Sequence, residues 1–296
     1  MTDVSSSNSY DAKTNCLLKG SSTTTPIMRF GYLTYERFVI ADCVFMNASH
    51  IAAGPKLRAA SDEAEIVIRN NFIVNNVYAW QVSAANGKHL PKVYRLEGNS
   101  FIMNWPLNPD PGTSNPAAVE IGDKYTAQRV EIVGNLFAHN VGGAIYPTRD
   151  EESGPPLVIR SNLFYNNAAL FGLDDPAQGA IVSKFGGFLS RKVPWNVLDI
   201  ETVEDDYDWE VEDNAVLDPR VPIALVKPGI ADSSEVEAET TVENDVRRIL
   251  GLNLQGGTVQ VSNYAPRMAI DPQALPFPQA EQAKAYGVRR ERVEQF

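Results

Sequence analysis

The densest group of ionisable side chains in the chain is an acidic segment, residues 201–218, with nine Asp and Glu residues and no Lys or Arg. Carboxylate oxygens are the usual protein ligands of Ca²⁺, and Asp205, Asp206 and Asp208 are close enough in sequence to share one ion. The spacing matches no EF-hand loop, and a solvated acidic insertion would have the same composition. The segment therefore predicts either a Ca²⁺ site at these three aspartates or a charged surface insertion.

Histidine and cysteine offer little further ligand chemistry, because the chain has only three histidines and two cysteines. His50 and His89 have no metal-binding spacing, and the turn position of His139 favours a structural hydrogen bond over catalysis. Two cysteines are too few for a disulfide framework or for a structural zinc site. The sequence therefore indicates neither a zinc centre nor a disulfide-rich fold.

Composition limits the class of protein and of partner. With 296 residues, 44% of them hydrophobic and 21% charged, the chain has the make-up of an ordinary folded protein. Its formal net charge is −11 and no Lys/Arg stripe offsets it, so we expect no nucleic-acid partner. The same field opposes acidic polysaccharides unless a bound cation or a local basic pocket reverses it. No stretch has the roughly 18 apolar residues of a membrane-spanning helix, so we expect no membrane span.

An internal repeat is the element that must position any functional group. The repeat contains two asparagines. The pattern is apolar, any, apolar, any, any, Asn, any, Phe or Ile, any, any, Asn, and it occurs without a mismatch in residues 66–76, 94–104, 130–140 and 157–167. Two flanking segments, beginning at Phe38 and Trp209, match only the half of the pattern up to and around the first asparagine, where they have Cys43 and Asn214. The anchor positions 43, 71, 99, 135, 162 and 214 are 28, 28, 36, 27 and 52 residues apart. A period near 28 residues is typical of one solenoid coil, with insertions in the third and fifth intervals.

The residue types of the repeat have a physical explanation. Apolar residues two apart lie on one face of a strand, and the Phe or Ile after the corner returns to the same core. An Asn at the corner tolerates unusual backbone angles, and its amide both donates and accepts. We therefore predict a ladder of stacked asparagines and an internal aromatic stack. The competing interpretation is an antiparallel sandwich with Asn-rich turns, which gives no reason for one repeated register. The predicted ladder is Asn71, Asn99, Asn135 and Asn162, and the predicted stack is Phe45, Phe101, Phe137 and Phe164.

Over about residues 38–219 the repeats resemble those of the pectate-lyase-like right-handed β-helix superfamily. The resemblance implies an all-β fold, a single-stranded right-handed parallel β-helix of about six coils. That superfamily includes lyases, hydrolases, epimerases, phage tailspikes and adhesins, so the resemblance does not fix an activity.

We divide the chain into an N-terminal cap segment (1–35), the β-helix (36–220), and a C-terminal cap helix with an extended tail that packs on the solenoid (221–296). Residues 235–251 predict the cap helix, with a Thr240–Glu243 capping box and a terminal Gly251. Residues 272–278 are expected to lie extended along the side, followed by a charged helix over 281–296. Cys16 is one coil before Cys43, so the two could form a disulfide; two unrelated thiols is the alternative.

The resemblance also implies where a site would lie, because enzymes of this superfamily bind substrate in a groove along one parallel sheet. The implied catalytic residues of a lyase are Lys184, Arg149 and Tyr146, which would remove a proton beside a uronic carboxylate or neutralise that carboxylate. A hydrolase would instead pair Glu120 with Asp174 or Asp175. The implied substrate-binding residues are Trp80, Gln81, Glu120 and Lys124.

The sequence thus predicts an extracellular or cell-surface β-helix protein that binds or processes a carbohydrate, with lyase activity on uronic-acid polymers favoured over hydrolysis. Ca²⁺ is the one cofactor for which the sequence offers candidate ligands, the three aspartates Asp205, Asp206 and Asp208. A polysaccharide or surface glycan is the expected partner, and the repeats also permit a homo-oligomer or larger assembly. The alternative is a non-catalytic structural or adhesive module, such as a component of a surface fibre or phage tail. Residues 1–9 show no signal-peptide pattern, so the compartment rests on the resemblance.

Overall fold

The chain folds as a parallel β-helix whose coils each contribute strands to three stacked sheets. Up to Ser183, neighbouring strands of each of these sheets are three strands apart in the chain, as expected for a ribbon that passes each sheet once per coil. Strands are numbered β1–β23 in chain order. The computed structural model describes residues 9–14, 17–19, 33–46, 57–76, 80–82, 88–104, 117–140, 142–149, 152–167, 175–183, 196–222, 225–226, 269–270 and 274–293.

The three sheets, called I, II and III, contain nineteen of these strands. The strand pairs of sheets I and II are parallel, and in sheet III the last pair, Ile181–Ser183 with Asn196–Leu198, is antiparallel. Sheet I consists of β1 (Ser9–Thr14), β4 (Arg37–Ala41), β7 (Glu65–Arg69), β10 (Val93–Glu97), β13 (Val130–Val133), β16 (Leu157–Arg160) and β20 (Glu210–Glu212). Sheet II consists of β2 (Leu17–Lys19), β5 (Val44–Met46), β8 (Phe72–Val74), β11 (Ser100–Ile102), β14 (Leu136–Ala138), β17 (Leu163–Tyr165) and β21 (Ala215–Val216). Sheet III consists of β9 (Trp80–Val82), β12 (Ala117–Ile121), β15 (Gly143–Pro147), β18 (Ile181–Ser183) and β19 (Asn196–Leu198).

Two small sheets and three short helices complete the described elements. Parallel pairing joins β3 (Leu33–Tyr35) to β6 (Leu57–Ala59), and antiparallel pairing joins β22 (Leu225–Val226) to β23 (Ala269–Ile270). The helices are α1 (Ile200–Asp206), a 3₁₀ helix (Glu281–Ala285) and α2 (Arg290–Val293).

The predicted asparagine ladder is confirmed, and it turns the corner between sheets I and II. Asn71 Nδ2 donates to Asn99 Oδ1 at 2.9 Å, and the same bond joins Asn99 to Asn135 and Asn135 to Asn162, each at 3.0 Å. Each amide also donates to a strand carbonyl of the preceding coil, as Asn135 does to Leu96 O at 2.9 Å. Because every member is buried, these bonds satisfy polar groups that would otherwise destabilise the fold. Asn214 extends the ladder by one coil.

A second ladder follows sheet II and has the same chemistry. It contains Asn76, Asn104, Asn140 and Asn167, linked at 3.2, 3.0 and 2.8 Å. The second Asn of the repeat pattern is therefore a ladder position too. Two parallel ladders fix the register of successive coils, since a slipped coil would leave buried amides without partners.

The unusual backbone angles lie one residue before the ladder asparagines and not on them. The preceding residue has the left-handed conformation, so the Asn side chain is free to point into the turn, and our assignment of those angles to the asparagines was wrong. Asn, Asp and Gly accept this conformation most readily, which explains much of the composition of these positions. At the first ladder they are Asp42, Asn70, Gly98, Gly134, Ser161 and Asp213, with φ between 51° and 66°.

Aromatic rings stack inside the coil as predicted, over three coils. Phe101 and Phe137 have ring centroids 4.9 Å apart and Phe137 and Phe164 5.2 Å apart, with nearly parallel planes. Ile73 lies between Phe45 and Phe101 in the register, so Phe45 does not join the stack. Phe45 instead contacts the Trp80 ring edge-on at 5.7 Å.

The outer face of sheet II is apolar and is covered by the C-terminal tail, residues 274–293. Residues 274–280 lie without regular structure along the sheet, as predicted, and Phe277 meets the Phe72 ring at 4.8 Å. The expected single helix over 281–296 is wrong, because Gly287, at φ +73°, separates the 3₁₀ helix from α2. A Cβ at Gly287 would stand 2.9 Å from Leu136 Cβ, so the close packing requires glycine.

The ends of the β-helix differ from the predicted boundaries. Strands β1 and β2 pair parallel with β4 and β5, so wound coil precedes residue 36. At the other end α1 occupies the insertion between β19 and β20 and directs Ile200 and Val203 into the interior core. The cap helix expected over 235–251 lies outside the described residues. Cys43 is buried and Cys16 lies outside the described residues, so their pairing stays a prediction.

The outer face of sheet I is a network of paired charges. Arg95 Nε is 2.6 Å from a Glu131 carboxylate oxygen, and Arg129 Nη2 is 2.9 Å from a Glu210 oxygen. Arg160 also contacts Glu210. Such partly exposed pairs add little stability individually, but they leave the charges of this face mutually neutralised.

Candidate functional site

The outer face of sheet III has polar side chains in register on three neighbouring strands. Gln81 of β9 is paired with Glu120 of β12, and Glu120 with Tyr146 of β15. Each is half-buried, while the residues before and after it in the strand are fully buried. Parallel strands are about 4.8 Å apart, so the three groups form one row about 10 Å long. Three of the seven residues predicted for catalysis or substrate binding are therefore brought together in this row.

Glu120 lies at the centre of the row. It accepts a hydrogen bond from Gln81, and its second carboxylate oxygen, Oε2, is buried without a hydrogen-bond partner. Burial raises the pKa of the Glu120 carboxyl, and the bond from Gln81 only partly opposes this. A carboxyl with one unsatisfied oxygen can accept a hydroxyl hydrogen bond or, when protonated, donate one.

Tyr146 and Arg149 extend the site along β15. Burial is the main cause of the raised pKa of the Tyr146 hydroxyl; the Glu120 charge adds to it and the Arg149 charge opposes it. Arg149 is half-buried, and its Nη1 lies 3.4 Å from Thr148 O. The electrostatic contacts show that the phenol, the carboxyl and the guanidinium share one neighbourhood. A phenol with a raised pKa holds its proton and serves as a hydrogen-bonding group.

The predicted outward position of Trp80 is wrong. Its side chain is 1% exposed, lies in the interior core and donates from Nε1 to Tyr94 Oη at 3.1 Å. Successive side chains of a strand alternate between faces, so Trp80 and Gln81 cannot both point outward. Trp80 therefore supports the floor of the site without contacting a ligand.

Lys124 lies in a tight turn directly after β12, beside an aromatic residue that the sequence analysis missed. Tyr125 is 62% exposed, and Lys124 Nζ lies 5.7 Å from its ring centroid. The turn is fixed by its own bonds, since Asp123 accepts from Tyr125 N through Oδ1 and from Thr126 N through its carbonyl. An exposed ring held by a rigid turn is a flat apolar surface on which another ring can pack. In the sequence, the only indication of this exposed ring is that a Tyr directly follows Lys124 at the end of a strand.

The remaining predicted site residues do not join this group. Lys184 and Asp174 lie outside the described residues. Asp175 accepts a hydrogen bond from Ala177 N at 2.9 Å and so stabilises its own turn. The predicted pairing of Glu120 with Asp174 therefore stays a prediction.

The predicted Ca²⁺ site is not formed by the aspartates proposed for it. Asp205 and Asp206 end α1 and Asp208 follows it, all three exposed. Within the described ranges no group of three His, Cys, Asp or Glu residues has a geometry that could hold a metal ion. The solvated acidic insertion is the alternative that agrees with this arrangement.

His139 has the structural surroundings expected for it. Its backbone is left-handed at φ +56°, its ring packs edge-on against Tyr165, and Asn166 Nδ2 is 3.0 Å from Nδ1. Burial lowers the pKa of the imidazole to about 4, with Asp218 opposing the shift. His139 is therefore neutral at pH 7.

Comparison of the chain with protein-family models, curated proteins and solved structures found no match. The assignment of a β-helix with two asparagine ladders therefore depends on the geometry of this chain. None of the helices in the described part of the chain has the length and apolar character needed to cross a bilayer.

Proposed function

We propose that this protein binds a carbohydrate along the outer face of sheet III. The observation that carries the proposal is the register of Gln81, Glu120 and Tyr146, which lines up an amide, a carboxyl and a phenol on a rigid sheet. These groups supply the donors and acceptors that sugar hydroxyls need, and the sheet fixes their spacing before binding. Tyr125, in the turn directly after the strand of Glu120 (β12), offers an apolar ring surface beside these groups.

The outer faces of the other two sheets support this choice by contrast. Paired Arg and Glu side chains occupy sheet I, and the C-terminal tail covers sheet II. Among the described residues, Glu120 Oε2 is the one carboxylate oxygen that is buried without a hydrogen-bond partner. A ligand hydroxyl bonded to that oxygen would remove a buried unsatisfied group, which is a favourable source of binding energy.

Elimination from a uronic-acid polymer is a further step that we propose to test together with binding. It requires a base and a positive charge beside the sugar carboxylate. Arg149 is the described cation of the group, and the raised pKa of Tyr146 makes that phenol a weak base near neutral pH. The described groups thus favour sugar binding, and a lyase would need a further base. A lyase activity would also support membership of the pectate-lyase-like superfamily.

A glycan panel tests the proposal directly. Neutral and uronic-acid oligosaccharides would be screened for binding with wild type, Glu120→Gln and Glu204→Gln; the last removes an exposed carboxylate of α1 and serves as the matched control. We expect a ligand that binds wild type and Glu204→Gln equally and Glu120→Gln at least about tenfold more weakly. Absorbance near 235 nm, with and without Ca²⁺, would detect unsaturated products.

Absence of binding to every glycan in the panel would refute the proposal. The non-catalytic structural or adhesive module is the second candidate, and one observation favours it: the two continuous ladders make the β-helix a stiff rod. That candidate predicts no glycan affinity that depends on Glu120.

A further inference from the structure

A second pocket lies at the corner between sheets I and II, on a different face from the proposed carbohydrate site. Its volume is about 310 Å³. One wall consists of three consecutive coils at the residues just before the first ladder, and the other is the C-terminal tail. The coils contribute Arg69, Asn70, Glu97, Gly98, Val133 and Gly134. The tail contributes Ala285, Gly287, Arg289 and Arg292.

The pocket is positively charged although the whole chain is strongly acidic. Three arginines and one glutamate line it, which gives 3 − 1 = +2, against −11 for the chain. No salt bridge joins Arg69, Arg289 or Arg292 to a carboxylate within the described ranges. The arginines on the neighbouring face of sheet I differ in this respect, since Arg129 and Arg160 have carboxylate oxygens within 3.3 and 3.0 Å of Nε.

Arg69 provides a second, independent indication of a ligand. Its Nε is buried and has no hydrogen-bond acceptor among the residues that the structure describes. Arg69 is the register partner of Glu97 on the neighbouring strand, yet among the described residues no salt bridge joins the two. A buried guanidinium donor normally has an acceptor, and leaving it unsatisfied destabilises the fold. An oxygen atom in the pocket would supply that acceptor.

The tail holds this pocket in a fixed shape. Gly287 N donates to Gly134 O at 2.8 Å, Val288 N to Ser100 Oγ at 3.0 Å, and Arg289 N to Asn70 Oδ1 at 2.7 Å. The side chains of Val288 and Val293 are buried against sheet II on either side of the arginines. The backbone positions of Arg289 and Arg292 are therefore set before a ligand binds, so only their exposed side chains need to be ordered on binding.

We propose that this pocket binds a tetrahedral oxyanion, a sulfate or phosphate group, held by Arg69, Arg289 and Arg292. Planar guanidinium groups pair with such oxygens through two parallel hydrogen bonds, and a doubly negative ion matches the net +2 of the lining. The corner glycines Gly98 and Gly134 add no side chains of their own to the coil side of the pocket. The source is either the free inorganic ion or the same group esterified to a sugar.

Calorimetric titration of the full chain at low, constant ionic strength tests the proposal. Inorganic sulfate and inorganic phosphate form one arm, glucose 6-sulfate and glucose 6-phosphate the other, and chloride is the reference. We expect saturable binding in at least one arm that is weakened about tenfold or more in both Arg69→Gln and Arg292→Gln. Tighter binding of the sugar esters than of the inorganic ions identifies an esterified ligand, and equal binding identifies the free ion.

Lys284→Gln is the matched control, because it removes one positive charge from the same tail at an exposed residue that does not line the pocket. Its affinity should equal that of wild type. Circular dichroism would establish that the arginine variants remain folded. The proposal is overturned if wild type binds neither anion in either arm, or if all three variants lose the same fraction of affinity, which would indicate general electrostatic attraction.

Discussion

Replacing Asn135 with Ala should destabilise the protein by several kcal/mol without changing its surface. The Asn135 amide oxygen accepts from Asn99 N at 2.8 Å and from Asn99 Nδ2 at 3.0 Å. Its nitrogen donates to Leu96 O at 2.9 Å and to Asn162 Oδ1 at 3.0 Å. Asn162 Oδ1 keeps its bond from Asn135 N, so the substitution leaves two buried groups of Asn99 unsatisfied, its backbone N–H and one amide hydrogen. The Leu96 carbonyl, which belongs to a paired strand, loses only its bond from the Asn135 amide.

Each buried unsatisfied group lowers stability by about 1–3 kcal/mol, so the two groups together should lower the free energy of unfolding by about 2–6 kcal/mol. Asn214 occupies the last, half-buried position of the ladder, where water can replace lost bonds. Asn214→Ala should therefore lower that free energy by only about 1–2 kcal/mol. Asn196→Ala, at an exposed position of β19, is the control and should stay within about 0.5 kcal/mol of wild type.

Urea unfolding monitored by circular dichroism and by fluorescence would measure these differences. Coincident transitions with an unchanged slope against urea would allow the free energies to be compared directly. The ladder would be refuted as a source of stability if Asn135→Ala and Asn196→Ala unfolded at the same urea concentration.

Three further predictions concern the imidazole, the central carboxyl and the tail. The imidazole of His139 has a pKa of about 4 in the folded protein, against about 6.5 in the unfolded chain. Because the unfolded state therefore binds more protons in this range, the free energy of unfolding should fall by up to about 3 kcal/mol as the pH drops from 6.5 to 4. His139→Asn, which tolerates the left-handed backbone, should abolish most of that loss in melting experiments at stepped pH. The Glu120 carboxyl has a raised pKa, so its protonated form stabilises the fold below the unfolded value and this contribution is lost as the pH rises through the folded value. Glu120→Gln should therefore raise the melting temperature at pH 7, and a lower melting temperature would contradict the burial argument. Phe277→Ala removes the ring that packs on Phe72, so it should lower the free energy of unfolding by about 3–5 kcal/mol and speed proteolysis of the tail. Equal cleavage rates in wild type and variant would show that the tail is held by other contacts.

The sequence was sufficient to predict the coils because their stabilising chemistry repeats. An asparagine such as Asn99 bonds to the same residue type in the coils before and after it, so one residue type returns at one spacing. The phenylalanine stack is detectable for the same reason, since Phe137 packs on its own equivalents. The helix α1 and the break at Gly287 have no counterpart in other coils, and only their specific packing reveals them.

The candidate site was predictable in part. Glu120, Gln81 and Tyr146 each lie between buried apolar residues, and strand alternation in the sequence indicates that they face outward. The same alternation argued against an outward Trp80. The cationic pocket was not predictable, because Arg69 and Arg292 are 223 residues apart in sequence and only the docking of the tail brings them to one corner.

A crystal structure of the protein with a glycan that binds it would test the proposed function most directly. We predict that the sugar lies over β9, β12 and β15, with a hydroxyl hydrogen-bonded to the Glu120 carboxyl and contacts to Gln81 and Tyr146. A sugar bound at another face, with Glu120 Oε2 still unsatisfied, would contradict the proposal.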